Sequence, residues 1–490
     1  LRTSKVQGWI YRITPLVIAA IILNLSGIGE LKIAPAQTDE AQSSSNSILW
    51  EYQLDFSATS YSEARQQSSS LAPQMKNLEV STSLQVLGKM SYRLEMAGND
   101  GIEQARQVLF SPILAGFING PAEVEISLPV EKIQPTTLKL ESNPSTGYRW
   151  EVISSISSNY SQKGETVFRL RSKGYGVPSV QTMVLVPAVA ETGKMELVYR
   201  RPFGPEDIVT RHLSIWLSNP ATDIDLSNPH PNVLQLQTDT IPLPATSYPI
   251  DQISLETTLP ASLDWRTAGI VPAVRNQGYC GSCWAFGTVG VMESAIAKAG
   301  GQLTDLSEQF LVSCNKHSWN CENGGLTASM YHYDTLGKNQ ITAGAVLEKD
   351  KPYTATDGSC TVTYNHPYKS TDWQFIIGSE WAMPTVEEIK HAIANFGPVT
   401  AGVCVGNKFQ EYRGGIFSTG EDCYGGTNHQ IILVGWNDAD GGYWILRNSW
   451  GRWWGEDGYM RIAYKTSRVG EGTSWVTWNP QIYYLPLIYR

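Results

Sequence analysis

The sequence predicts a multidomain chain, all-β in its first part and with a helix near the start of its cysteine-bearing second part, on three observations. Short runs of alternating apolar and polar residues recur between positions 122 and 218. Ala285, Val289, Met292 and Ile296, spaced three or four apart, mark a helix over 284–299 closed by Gly300-Gly301. All seven cysteines fall between 280 and 423, so disulfide chemistry belongs to the second part alone. A length of 490 residues calls for two or three domains, and a hydrophobic fraction of 42% can fill their cores. The net charge of −9 argues against nucleic acid or an anionic membrane as partner.

At the N-terminus, Arg2, Lys5 and Arg12 precede an apolar run from Leu16 to Leu25 broken by Asn24. Ala34-Pro-Ala36 then offers a cleavage site, so residues 1–36 read as a signal peptide. The run falls short of the roughly 20 residues that span a bilayer. An uncleaved anchor is the alternative, and the only case in which the membrane is a partner. Residues 37–121 open Ser/Gln-rich and alternate weakly around Leu78 to Leu94. They read as a spacer or a small β module.

Between 122 and 218 the alternating residues are Val124 to Val130, Leu138/Leu140, Trp150/Val152, Phe168/Leu170, Met183/Leu185, Met195/Leu197 and Leu213 to Leu217. Seven short strands over that length fit an immunoglobulin-like sandwich. Three motifs lie between successive strands: Asn143-Pro144-Ser-Thr146-Gly147-Tyr148, Gly174-Tyr-Gly176, and Arg201-Pro202-Phe203. Taken singly, each suits an ordinary turn. Taken in order, they resemble the three inhibitory loops of the chagasin family, protein inhibitors of papain-type cysteine peptidases. The resemblance implies that the loops gather at one end of the sandwich and enter a peptidase cleft, the first lying over the catalytic thiol. Val177 stands where that family more often has glycine, and Phe203 where it has tryptophan. Residues 219–258, with prolines scattered through polar sequence, read as a linker open to cleavage.

The chemistry lies farther on. Gln277-Gly-Tyr-Cys280-Gly-Ser-Cys283-Trp places a thiol at the start of the predicted helix, where the positive end of the helix dipole favours a thiolate. Asn428-His429 and Asn448-Ser-Trp450 follow, in that chain order. Cys280-x-x-Cys283 alone could be a redox pair. Together with Gln277, His429 and Asn448 it resembles the papain-type cysteine peptidases, over 259–479. The resemblance implies an α+β, two-lobed catalytic domain. Cys283 would be the nucleophile and His429 its acid–base partner. Asn448 would orient the imidazole under the shield of Trp450, and Gln277 would supply an oxyanion donor beside the Cys283 amide. Gly324, Gly325 and Leu326 would line the substrate site. No helical prosegment is recognisable, so the sandwich is expected to serve as a built-in inhibitor.

By the same resemblance Cys280 pairs with Cys321 and Cys314 with Cys360. The family's usual third bridge needs a cysteine near the domain's end that this chain lacks, which leaves Cys404 and Cys423 as candidates. Paired cysteines and a leader imply export. No metal-ligand cluster or cofactor motif is found, and His317 and His366 read as surface residues. The apolar tail 480–490 is unassigned. The partners expected are protein or peptide substrates, and a papain-type cleft, the chain's own or a foreign one. The rival reading is an inhibitor or binding protein whose peptidase half is an inactive scaffold.

Overall fold

The computed structural model describes residues 49–57, 65, 81–88, 91–98, 122–129, 135–153, 160–187, 193–203, 209–218, 224–226, 258–328, 331 and 335–480. The signal-peptide reading and the tail from 481 lie outside them.

The first part of the chain is built from two sheets. Strands β1 (Leu49–Ser57), β2 (Ser81–Gly88), β3 (Ser91–Gly98) and β4 (Ala122–Pro129) come first. They are followed by β5 (Thr136–Ser142), β6 (Arg149–Val152), β7 (Tyr160–Leu170) and β8 (Ser179–Pro187). Then come β9 (Gly193–Arg200), β10 (Val209–Ser218) and β11 (Ile224–Leu226). One sheet has the order β2-β3-β1-β4-β10-β9-β6, the other β11-β5-β8-β7. Two readings of the sequence need adjusting here. Part of the stretch read as a spacer or β module supplies β1 to β3, which extend the sheet of the region after it through the β1–β4 pairing. The proposed linker begins inside a sheet, with β11 paired in parallel to β5. Both are long-range pairings, which no local pattern encodes.

Leu138, Leu140, Met183, Leu185 and Leu197 are fully or almost fully buried, as their alternation requires. Trp150 packs on Tyr199 at 5.3 Å, and its indole N–H donates to Glu141 O at 2.8 Å. Gln181, buried between the strands, accepts from Trp150 N and donates to Trp150 O. A buried amide satisfied at both ends costs little and fixes register.

The second part starts with β12 (Ser262–Asp264), α1 (Cys283–Lys298), α2 (Glu308–Cys314) and β13 (Asp372–Phe375). Next are α3 (Val386–Phe396), β14 (Val399–Val403), α4 (Asn407–Gln410) and β15 (Ile416–Phe417). The chain closes with β16 (His429–Asn437), β17 (Tyr443–Arg447), β18 (Tyr459–Ala463) and β19 (Glu471–Thr477). Its sheet runs β13-β19-β14-β16-β17-β18-β15, with β12 on β16. One apolar core surrounds α1 and α2, and a second lies within the sheet and against α3.

The helix expected over 284–299 is observed over Cys283–Lys298, and it is buried on nearly every side. Such a helix must lie centrally, and two glycines let it do so. A Cβ on Gly290 would come 2.4 Å from Ile432 Cδ1, and one on Gly287 3.0 Å from the Gln430 side chain. α1 therefore lies directly on β16, the strand that begins with His429.

Three disulfides close this part: Cys280–Cys321, Cys314–Cys360 and Cys404–Cys423, leaving Cys283 as the free cysteine. For loops of 41, 46 and 19 residues the chain-entropy account gives each bridge roughly 3 to 4 kcal/mol.

Candidate active site

Cys283 is the first residue of α1, after Ser282, whose hydroxyl bonds Tyr353 at 2.6 Å rather than capping the helix. The first bridge ties this turn to the Cys321 loop, with Gly281 N donating to Cys321 O at 2.9 Å. His429 opens β16 and Asn448 follows β17, the adjacent antiparallel strand, so the two side chains meet. His429 Nε2 lies 2.8 Å from Asn448 Oδ1, which also accepts from Ser449 N at 2.8 Å. An oxygen that accepts from an amide marks Nε2 as the imidazole donor. Nδ1, buried and without a hydrogen-bond partner, is thereby left as the basic nitrogen. The Trp450 ring sits 5.2 Å from the imidazole and covers this bond. Gln277 is anchored from both sides, donating to Cys280 O at 2.9 Å and accepting from Ser449 Oγ at 2.7 Å.

The three loops of the first part converge on these residues. In the first, Pro144–Thr146 forms a single 3₁₀ turn ended by Gly147 at φ 81°. Ser145 O accepts from Trp450 Nε1 at 2.8 Å, and Pro144 O from Gln410 Nε2 at 3.3 Å. In the second loop, Tyr175 exchanges two backbone bonds of 2.9 Å with Gly325, and Gly176 N donates to Asn428 O at 3.0 Å. A Cβ on Gly176 would fall 1.9 Å from Gly281 O, so only glycine permits this approach. Asn143 Nδ2 donates to Gly176 O at 2.7 Å, locking the first loop to the second. In the third loop Phe203 stacks on Trp450 at 5.4 Å and 15°. Arg201 is buried, and its guanidinium donates to Thr146 O at 2.8 Å, Asn276 Oδ1 at 2.8 Å and Gly278 O at 2.7 Å. Pro202 O accepts from Arg413 at 2.6 Å. Gly174, Gly324 and Leu326 are buried, and a Cβ on Gly324 would fall 2.4 Å from Tyr175 O.

Comparison with known proteins gives these features a family. Residues 259–477 match the papain family cysteine protease description, and residues 130–215 match the chagasin family peptidase inhibitor. Zingipain-2 of Zingiber officinale is 40% identical over 207 residues, which are 41% of this chain and 87% of that protein. The chain belongs to the papain family of cysteine proteases. Pro-cathepsin H of Medicago truncatula is 37% identical over 44% of this chain, and cathepsin L of Sarcophaga peregrina 36% identical over 42%. The chain spans about six tenths of those relatives' length, 60% and 59% respectively. Among solved structures, bromelain of Ananas comosus is 26% identical, covering 45% of this chain and all of its own, with a TM-score of 0.38.

Burial under the chagasin-family loops sets the electrostatics of the papain-family site. Cys283 is fully buried, and burial pushes its thiol up to about 12 against the opposing hydrogen bonds from Gln430, Trp284 and Ser145. Burial likewise pushes His429 down to about 4; the Asn448 bond opposes this and the positive Arg201 reinforces it. Both directions disfavour the charged forms. For the Cys283 thiol, desolvation outweighs those hydrogen bonds.

Several contacts escaped the sequence. Ser145 and Tyr175 sit inside motifs whose flanking residues carried the signal. Arg149 pairs with Glu411 at 2.5 Å, and Lys408 with Glu165 at 2.7 Å, between ordinary surface residues far apart in sequence. His317 and His366 are half-buried: His317 stacks on Trp319 at 4.5 Å, and His366 Nδ1 lies 2.7 Å from Gly344 O. Among the described residues no group of His, Cys, Asp or Glu could hold a metal ion.

Proposed function

We propose that this chain is an exported papain-type cysteine endopeptidase whose cleft is closed in cis by its own chagasin-like domain. The observation that carries the reading is the seating of all three loops, through Ser145, Tyr175 and Arg201, on residues that flank Cys283 and His429. The inhibitor domain is read as an immunoglobulin-like sandwich over 122–218, its faces being the parts of the two sheets formed by β4 to β10. The catalytic domain spans 259–479. Three disulfides fit an oxidising compartment, in keeping with export.

Once the loops withdraw, water returns and the penalties on both charged forms fall. Cys283 Sγ then passes its proton to His429 Nδ1, and the thiolate adds to the carbonyl carbon of the substrate. The Gln277 amide and the Cys283 N–H stabilise the oxyanion. As the C–N bond breaks, His429 returns the proton to the leaving amine. Water, activated by the same imidazole, then hydrolyses the thioester. Asn448 holds the ring throughout.

The chemistry is tested by Cys283→Ala, which removes hydrolysis of a peptide substrate from the opened enzyme without unfolding it. Peptidase activity surviving in that variant would refute the assignment of Cys283.

A further inference from the structure

Tyr175 occupies a position that a substrate residue could take. Its two-bond exchange with Gly325 and the Gly176–Asn428 bond hold an extended backbone between the two lobes, next to His429. Extended ligands bound in this way gain affinity from the main chain and selectivity from side-chain pockets. The Tyr175 side chain fills such a pocket and is fully buried, against Trp381 at 5.7 Å, Gly402 and Gly472.

The pocket holds a carboxyl group that burial pushes up to about 7 while the loop covers it. Glu380 is 4% exposed, and one carboxylate oxygen accepts from Thr327 N at 3.0 Å and Thr327 Oγ1 at 2.8 Å. Its other oxygen is buried without a partner, as is the Tyr175 hydroxyl. Glu380 is the charge that acts most strongly on that phenol, ahead of Glu471. Glu471 is already held by Arg468, at 2.6 Å and 2.7 Å. The inhibitor loop brings Lys173 to the same place, its ammonium 5.7 Å from the Trp381 ring. Lys173 acts on Glu471 rather than on Glu380, whose burial is opposed by the Thr327 hydrogen bonds. A buried carboxylate with a free oxygen favours a donor, a charged donor most.

We infer that Glu380 is the specificity-determining residue of the pocket Tyr175 fills, selecting substrates whose side chain there is long enough to carry a charged hydrogen-bond donor to its free oxygen, arginine over leucine, since the Tyr175 hydroxyl does not reach it. This rests on the peptidase reading above.

The test treats the intact chain with four peptidyl thiol-reactive probes that differ only in the residue entering this pocket: arginine, leucine, tyrosine and phenylalanine. The rate of adduct formation at Cys283 is read by intact mass. The fraction of molecules open at any moment is common to all four, so it cancels in the ratios. Arginine over leucine is expected to be about tenfold or more, the scale of a hydrogen bond to a charged group, while tyrosine and phenylalanine, neither of which reaches the free oxygen, label alike. Glu380→Gln keeps an acceptor for Thr327, and it reduces the arginine-to-leucine ratio to near one while the leucine probe still labels. Glu471→Gln leaves the ratio in place. Leucine labelling as fast as arginine in the unaltered chain, or a ratio unchanged in Glu380→Gln, overturns the inference. Should Glu380→Gln fail to fold, the ratios in the unaltered chain decide. If no probe labels Cys283 even after the chain is cut between β11 and β12 and diluted, the peptidase reading fails instead.

Discussion

A thiol held up to about 12 beside an imidazole held down to about 4 leaves both groups neutral between those values. The signs are opposite but the outcome is the same: the thiol ionises only above its raised value, and the imidazole charges only below its lowered one. The closed chain is therefore expected to resist alkylation by iodoacetamide at Cys283 from pH 5 to pH 9, while the opened chain reacts rapidly. Mass spectrometry of the alkylated protein reads the difference. Arg201 does most to maintain this state, because its three hydrogen bonds join the first and third loops to the peptidase and its charge disfavours the imidazolium. Arg201→Ala should weaken closure by about 3 kcal/mol, as a buried charged donor is lost. That is roughly a hundredfold rise in the open fraction, visible as hydrolysis by the uncut chain.

At the scale of elements, closure depends on backbones approaching where no side chain fits. The second loop passes so close to the turn before α1 that Gly176→Ala would set a methyl against Gly281 O, at a positive φ of 79°. This single methyl should open the chain while leaving both sheets intact, with higher hydrolysis and unchanged far-ultraviolet circular dichroism. What the sequence made legible at this scale follows from chemistry. Cys283, His429 and Asn448 are fixed in type by their proposed roles. The alternation of Leu138/Leu140 and Met183/Leu185 reports one buried face. By contrast β1 to β3 alternate weakly, and β1 joins β4 through a pairing of residues far apart in sequence. The Arg149–Glu411 and Arg413–Pro202 contacts join residues that look like ordinary surface until two domains meet. Glu380 gave no signal at all, because its meaning comes from Tyr175, which lies far from it along the chain.

Over the whole molecule, the proposed inhibitor and the peptidase domain share one chain, so closure in cis requires only modest intrinsic affinity from the loops. A suitable linker supplies an effective concentration near millimolar, and a micromolar contact then favours the closed form by roughly a thousand to one. Exposed ion pairs such as Lys408–Glu165 add little to that balance. The Ser145, Tyr175 and Arg201 contacts carry it. Cutting between β11 and β12 removes the tether, and dilution then lets the inhibitor dissociate. The most direct measurement compares peptide hydrolysis per mole of the intact chain with that of residues 259–490, the latter calibrated by an irreversible thiol-directed titrant. The account predicts an intact chain at least a hundredfold less active, with inhibition restored by adding back the inhibitor domain. Equal activity in the two would contradict closure in cis.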